Sequence, residues 1–193
     1  MRILTVRQPW AWAIIHGGKT VENRVRNIAG DYRGPVLIHA AIGKTAVLDA
    51  RQESLLLAAD EDGRGGIGDW LDGEPIMGGV ILGVVDLVDV HRAEGTEQGV
   101  TADMIRGDGR YALNGACSPW AEANVHHLVF ANPRALDEPL RYKGALGLRN
   151  TQFEIIGDWL AELTDKHNCA GGGYGEPHED LCGFEPVARL VAP

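Results

Sequence analysis

The run Gly79–Val90, GVILGVVDLVDV, constrains this chain more than any other stretch. Val and Ile supply half of its residues, and side chains branched at Cβ favour an extended backbone over a helix. Pro35–Ala41, PVLIHAA, is a second near-continuous apolar run, the pattern of a buried strand. Arg2–Val6, Thr20–Arg24 and His126–Ala131 also read as extended segments, and Pro186–Val191 as an edge strand. Helices are few. Pro9 opens one that runs through Trp12 to His16, where Gly17-Gly18 ends it. Lys44–Ala59 reads as a second. Thr151-Gln-Phe-Glu154 has the form of a capping box, and apolar positions 153, 155, 156, 159, 160 and 163 predict a third helix to about Leu163. Asn27–Gly34 is a turn-rich loop, and Asp60–Gly79, rich in Gly and Asp, reads as an insertion with little regular structure. Ala93–Tyr111 is a polar connection. Asn132–Leu140 carries two prolines and leads into the Gly-flanked segment Lys143–Leu148. Several strands, short helices and no βαβ rhythm point to an α+β fold, a small β-barrel with flanking helices.

A chain of 193 residues suits one domain with a proper core. No apolar run approaches the roughly 20 residues needed to span a bilayer. The start passes directly into a strand pattern with no signal-peptide core, so the chain reads as cytoplasmic, with no membrane partner. Three cysteines, an odd number without a dense framework, argue against a secreted disulfide scaffold.

Charge is distributed unevenly. The whole chain carries −9, yet residues 1–44 hold seven Lys or Arg against Glu22 and Asp31. A local excess of this kind focuses an anionic ligand on one face of a protein that repels it elsewhere. Within this region Leu4–Arg24 gathers Arg7, Gln8, Trp10, Lys19, Glu22 and Arg24. The residue types suit nucleic acid: Gln8 to read a base edge, Trp10 to stack, and Lys19, Arg24, Arg7 and Arg26 to meet phosphate. Glu22 would orient the basic groups. Two arrangements remain open. If a strand begins at Lys19, then Lys19 faces away from Glu22 and Arg24; if Lys19 belongs to the turn, all three converge. Either way, a buried ion pair fixing the helix–strand junction is a purely structural alternative. His39, inside the apolar strand, is either a satisfied core residue or a cleft-lining donor or base. His126 and His127 face opposite sides of their strand. No His/Asp/Glu cluster in the barrel region has metal-ligand spacing.

The tail carries a separate signal. His167, Cys169, His178 and Cys182 lie within sixteen residues around the Gly-rich AGGGYGEP. Two thiolates and two imidazoles suit a closed tetrahedral zinc site of structural type. A flexible tail with no ion is the alternative.

Gly17, Lys19, Glu22 and Arg24 form the pattern G-x-K-x-x-E-x-R, preceded by Arg7-Gln8-Pro9-Trp10-Ala11. With Ser118-Pro-Trp-Ala-Glu122, the strand His127–Phe130 and Lys143-Gly-Ala-Leu-Gly-Leu148, this resembles the ASCH domain, a relative of the PUA domain, over about residues 2–150. The resemblance implies a PUA-like small β-barrel over 1–150, with a cleft beside the first helix. Residues 151–193 would then be a C-terminal extension, a helix and a Cys/His tail able to hold zinc. It further implies action on RNA or on coactivator-type assemblies. One branch of the family removes acetyl from N4-acetylcytidine, and another is linked to RNA cleavage. The leading expectation is therefore an RNA-binding module with RNA or a nucleoside as ligand. An amidohydrolase or ribonuclease using Lys19 and Glu22, with His39, is the alternative. The amidohydrolase branch places a Thr three positions after its Lys; this chain has Glu22 there. A protein-interaction cleft gripping an acidic peptide is a third option.

Overall fold

The computed structural model describes residues 1–92, 117–163 and 183–193. Among these residues nine strands form one curled sheet, a half-barrel, in the order β6-β1-β3-β4-β5-β9-β8-β7, with β2 also paired to β5. The strands are β1 (Arg2–Val6), β2 (Val21–Arg24), β3 (Gly34–Ala40), β4 (Val80–Arg92), β5 (His126–Arg141), β6 (Leu148–Asn150), β7 (Phe153–Ile156), β8 (Trp159–Leu163) and β9 (Phe184–Val191). Among the described residues three helices accompany them: α1 (Trp10–Ile15), α2 (Ala50–Ala59) and α3 (Ile67–Leu71). β1 and β3 pair in parallel, so the chain between them crosses over through α1 and β2.

The continuous apolar runs follow from cover on both faces. Leu4, Val36, Ile38, Val85 and Leu87 pack with Ala11, Ile14 and Ile15 of α1. Their neighbours Ile3, Leu37, Ile81 and Val84 point the other way, against Phe153, Leu160 and Leu190. Burying each Leu or Ile of this kind is worth about 1.5–3 kcal/mol.

The C-terminal extension supplies that second face, and here the expected helix over 151–163 is replaced by the hairpin β7–β8. Ile156 pairs with Trp159 across the two-residue turn Gly157-Asp158, with Gly157 at φ 59°. Two consecutive β-branched residues before a Gly-Asp turn are a hairpin signal, and burial of Phe153 and Leu160 against the sheet decides in its favour. Thr151 does not cap a helix; its hydroxyl donates to the Met1 carbonyl and accepts from Phe153 N–H.

Other expectations are refined. β5 continues through both prolines, because Pro133 and Pro139 fall in stretches left out of the β4 register, while Ala135 and Leu136 between them pair on the other edge with Val191 and Leu190 of β9. The second helix starts at Ala50 rather than Lys44, because Asp49 and Gln52 close a capping box. The 60–79 segment is more regular than its composition suggests: the Asp60 carboxylate accepts from the N–H groups of Gly65 and Ile67 and seats α3. Ala93–Tyr111 lies outside the described residues.

Candidate functional site

α1 ends at Gly17-Gly18, with Gly18 at φ 64°, and Lys19 N–H bonds back to the Ala13 carbonyl. Lys19 therefore belongs to the turn and β2 starts two residues later, which settles the two arrangements open in sequence. Lys19 Nζ lies 3.7 Å from Glu22 Oε2 and donates to the Val21 carbonyl. The other carboxylate oxygen of Glu22 takes Arg24 at 3.0 Å, and Arg24 also donates to the Thr5 carbonyl at 3.1 Å. The hallmark residues converge, and the buried ion pair is real.

Lys19 is 4 % exposed and lies 5.7 Å from the ring of Trp10 and 6.0 Å from that of Trp120. Burial drives its pKa below the ordinary lysine value, against the opposing pull of Glu22 and Glu122. The two indoles meet edge to face at 6.0 Å. With Asn23, Gln52 and Glu122 these groups enclose a cavity of about 80 Å³.

Trp10 and Glu22 also line a much larger groove, about 880 Å³, floored by Thr5, His39 and Arg24 and walled by residues 142–147. Arg7 and Lys143 stand exposed along it, and the apolar Ile42, Val47 and Leu146 project from its rim. His39 is 2 % exposed; its Nε2 lies 3.0 Å from the Tyr142 carbonyl, so this nitrogen carries the proton in the neutral ring. Nδ1 has no hydrogen-bond partner among the described residues. Burial lowers the His39 pKa. Gly144 lies so close that a Cβ there would stand 2.5 Å from Nδ1.

Two expected ligand contacts are not brought to this site. Gln8 is buried with its amide turned inward, donating to the Met77 carbonyl at 2.7 Å and accepting from Trp12 N–H at 3.0 Å, and it lines neither the cavity nor the groove. Arg26 is exposed two residues beyond the end of β2 and lines neither cavity nor groove. Lys19, expected to meet phosphate, is enclosed behind Glu22 and the indoles. His39 lines the groove rather than the cavity.

Sequence reasoning missed Asn23, Gln52, Trp120, Glu122 and Lys143. Trp120 and Glu122 stood in the Ser118–Glu122 block, but only folding shows what holds them. Asn23 donates to the Trp120 carbonyl at 2.9 Å and accepts from Glu122 N–H at 3.2 Å, while Gln52 of α2 donates to the Glu122 carboxylate at 3.2 Å.

Folding brings together a second cluster that spacing along the chain does not show. His91, Cys117 and His127 place three donor atoms within 4.8 Å of one another, a set that could hold a metal ion. The expected zinc ligands His167, Cys169, His178 and Cys182 lie outside the described residues.

The half-barrel carries a cation-lined groove beside Trp10 of α1. The family model for the ASCH domain matches residues 4–139, and the chain belongs to that family. ASCH domains are PUA-like domains that generally bind RNA. No curated protein matches the chain. No helix among the described residues is long and apolar enough to cross a membrane.

Proposed function

We propose that this chain binds single-stranded RNA, with the backbone along the groove and one base at the Trp10–Trp120 cavity. The observation that carries the reading is the adjacency of the two spaces: a groove bearing Arg7, Arg24 and Lys143 shares Trp10 and Glu22 with an indole-walled cavity. Cations that follow a phosphate chain supply sequence-independent affinity, and an indole face supplies stacking. Lys19 and Glu22 act inside the cavity on the polar edge of a base rather than on phosphate. With a net charge of −9, binding is confined to this face and engages few phosphates.

The test is the salt dependence of binding to short labelled single-stranded RNA. Arg7→Ala removes an exposed cation, so the slope of log K against log salt falls by about 0.7. Absence of binding at low salt would overturn the proposal.

A second reading rests on Lys19. A desolvated amine with a lowered pKa, 3.7 Å from a carboxylate in a small indole-walled cavity, suits proton abstraction during hydrolysis of an exocyclic amide on a nucleoside. Release of acetate from N4-acetylcytidine, abolished in Lys19→Met, would favour this reading; intact substrate with wild-type protein would exclude it.

A further inference from the structure

We propose that His91, Cys117 and His127 form a zinc site that pins the Cys117–His127 segment, and with it the Trp120–Glu122 wall of the cavity, to the sheet. The antiparallel register of β4 and β5 sets His91 directly opposite His127. Their rings meet edge to face with centroids 5.2 Å apart. His127 Nδ1 lies 3.3 Å from His91 Nε2 and 3.1 Å from Cys117 Sγ. Ligand atoms around a tetrahedral zinc, with bonds of about 2.0–2.1 Å to nitrogen and 2.3 Å to sulfur, stand roughly 3.3–3.6 Å apart.

Proton placement gives the second argument. His91 Nδ1 is 2.8 Å from the Asp89 carboxylate, and His127 Nε2 is 2.8 Å from the Glu122 carbonyl. Both of those nitrogens donate to acceptor-only oxygens, so in the neutral rings His91 Nε2 and His127 Nδ1 present lone pairs to each other at 3.3 Å. A cation between them turns that repulsion into coordination. A carboxylate or carbonyl behind each ligating imidazole is the usual outer support of a zinc site. Two imidazoles and a thiolate suit zinc, whereas magnesium and calcium demand oxygen ligands. Cys117 binds as thiolate, its proton passing to solvent, and a fourth position remains for water or another ligand. His127 is fully buried and Cys117 exposed, so the ion enters from the cysteine side.

The full-length protein is purified from zinc-supplemented culture and its metal content counted, then stripped and titrated with cobalt(II). One zinc per chain is expected at this site, with a thiolate-to-cobalt charge-transfer band. Cys117→Ser lowers zinc by one equivalent and, in the Cys169→Ser/Cys182→Ser background where no tail thiolate contributes, abolishes the band; His91→Gln serves if the serine variant fails to fold. Asp89→Asn, at an exposed position, weakens zinc binding about 10–100-fold. A Cys169→Ser/Cys182→Ser variant separates this site from the tail. Loss of the ion in Cys117→Ser upholds the proposal whatever the tail variant does. Wild-type protein without zinc or cobalt band overturns it, as does a full band and zinc content in Cys117→Ser.

Discussion

Lys19 Nζ and Glu22 Oε2 stand 3.7 Å apart, both side chains almost wholly removed from solvent. The turn residue Lys19 and the strand residue Glu22 thus form a buried ion pair in which the lysine depends on the carboxylate for its charge. Burial penalises the lysine charge, and the carboxylate restores part of what burial removes. Because Glu22 also holds Arg24, the carboxylate is the hub and the lysine a spoke.

Removing hub and spoke should therefore cost different amounts. Glu22→Gln strands the buried Lys19 charge and is expected to destabilise by about 3–5 kcal/mol. Lys19→Met leaves Glu22 paired to Arg24 and should cost markedly less. Urea denaturation of both variants and the double variant measures the coupling; strictly additive effects would contradict the arrangement.

Trp10 is half-buried and borders both cavity and groove, whereas Trp12 lines neither. If a base stacks on Trp10, Trp10→Ala should lose about 1–3 kcal/mol of RNA affinity, roughly 5–150-fold. Trp12→Ala is expected to lower stability with little change in affinity. Titration of labelled RNA into each variant distinguishes them; equal losses would count against stacking.

Gly144→Ala places a methyl 2.4 Å from His39 Cε1. The imidazole is held by Tyr142 and the strand beneath, so the 142–147 wall must shift. A loss of about 1–3 kcal/mol is expected in thermal or denaturant unfolding, together with weaker ligand binding in the groove. An unchanged midpoint would show that the wall yields freely.

His39 gives the fold a pH dependence of defined sign. Its pKa lies below 6.5 in the folded protein because burial disfavours the imidazolium. Between the lowered value and 6.5 the unfolded chain binds more protons, so stability rises with pH and the effect ends above 6.5. His39→Gln does not titrate, yet its amide can still donate to the Tyr142 carbonyl. Comparing melting at about pH 5 and 7.5, the variant should gain less stability on going to the higher pH than the wild type does. His16, whose pKa burial also lowers, remains in both proteins and contributes equally.

How much was legible in the chain differs by element. β1, α1, β2, β3 and most of β4 could be read because local pattern and burial agree: Gly17-Gly18 stops a helix, and GVILGVVDLVDV has no stable alternative to a strand. The C-terminal hairpin could not be read as easily, since positions 153, 155, 156, 159 and 160 satisfy a helical period as well as two short strands. Contact of Phe153 and Leu160 with Ile3, Leu37 and Ile81, all more than seventy residues away, decides between them.

The sequence by itself determined the sheet-rich character, the basic first quarter and the family's residue pattern, because each is written in neighbouring residues. Tertiary structure alone decided which of those residues share a site. Gln8 turned inward to serve the backbone of Met77 and Trp12, and Lys143 arrived at the groove from the far end of the chain. His91 met His127 across a strand register thirty-six residues deep. Such meetings depend on how strands pair and curl, a long-range outcome of burial that spacing along the chain does not record.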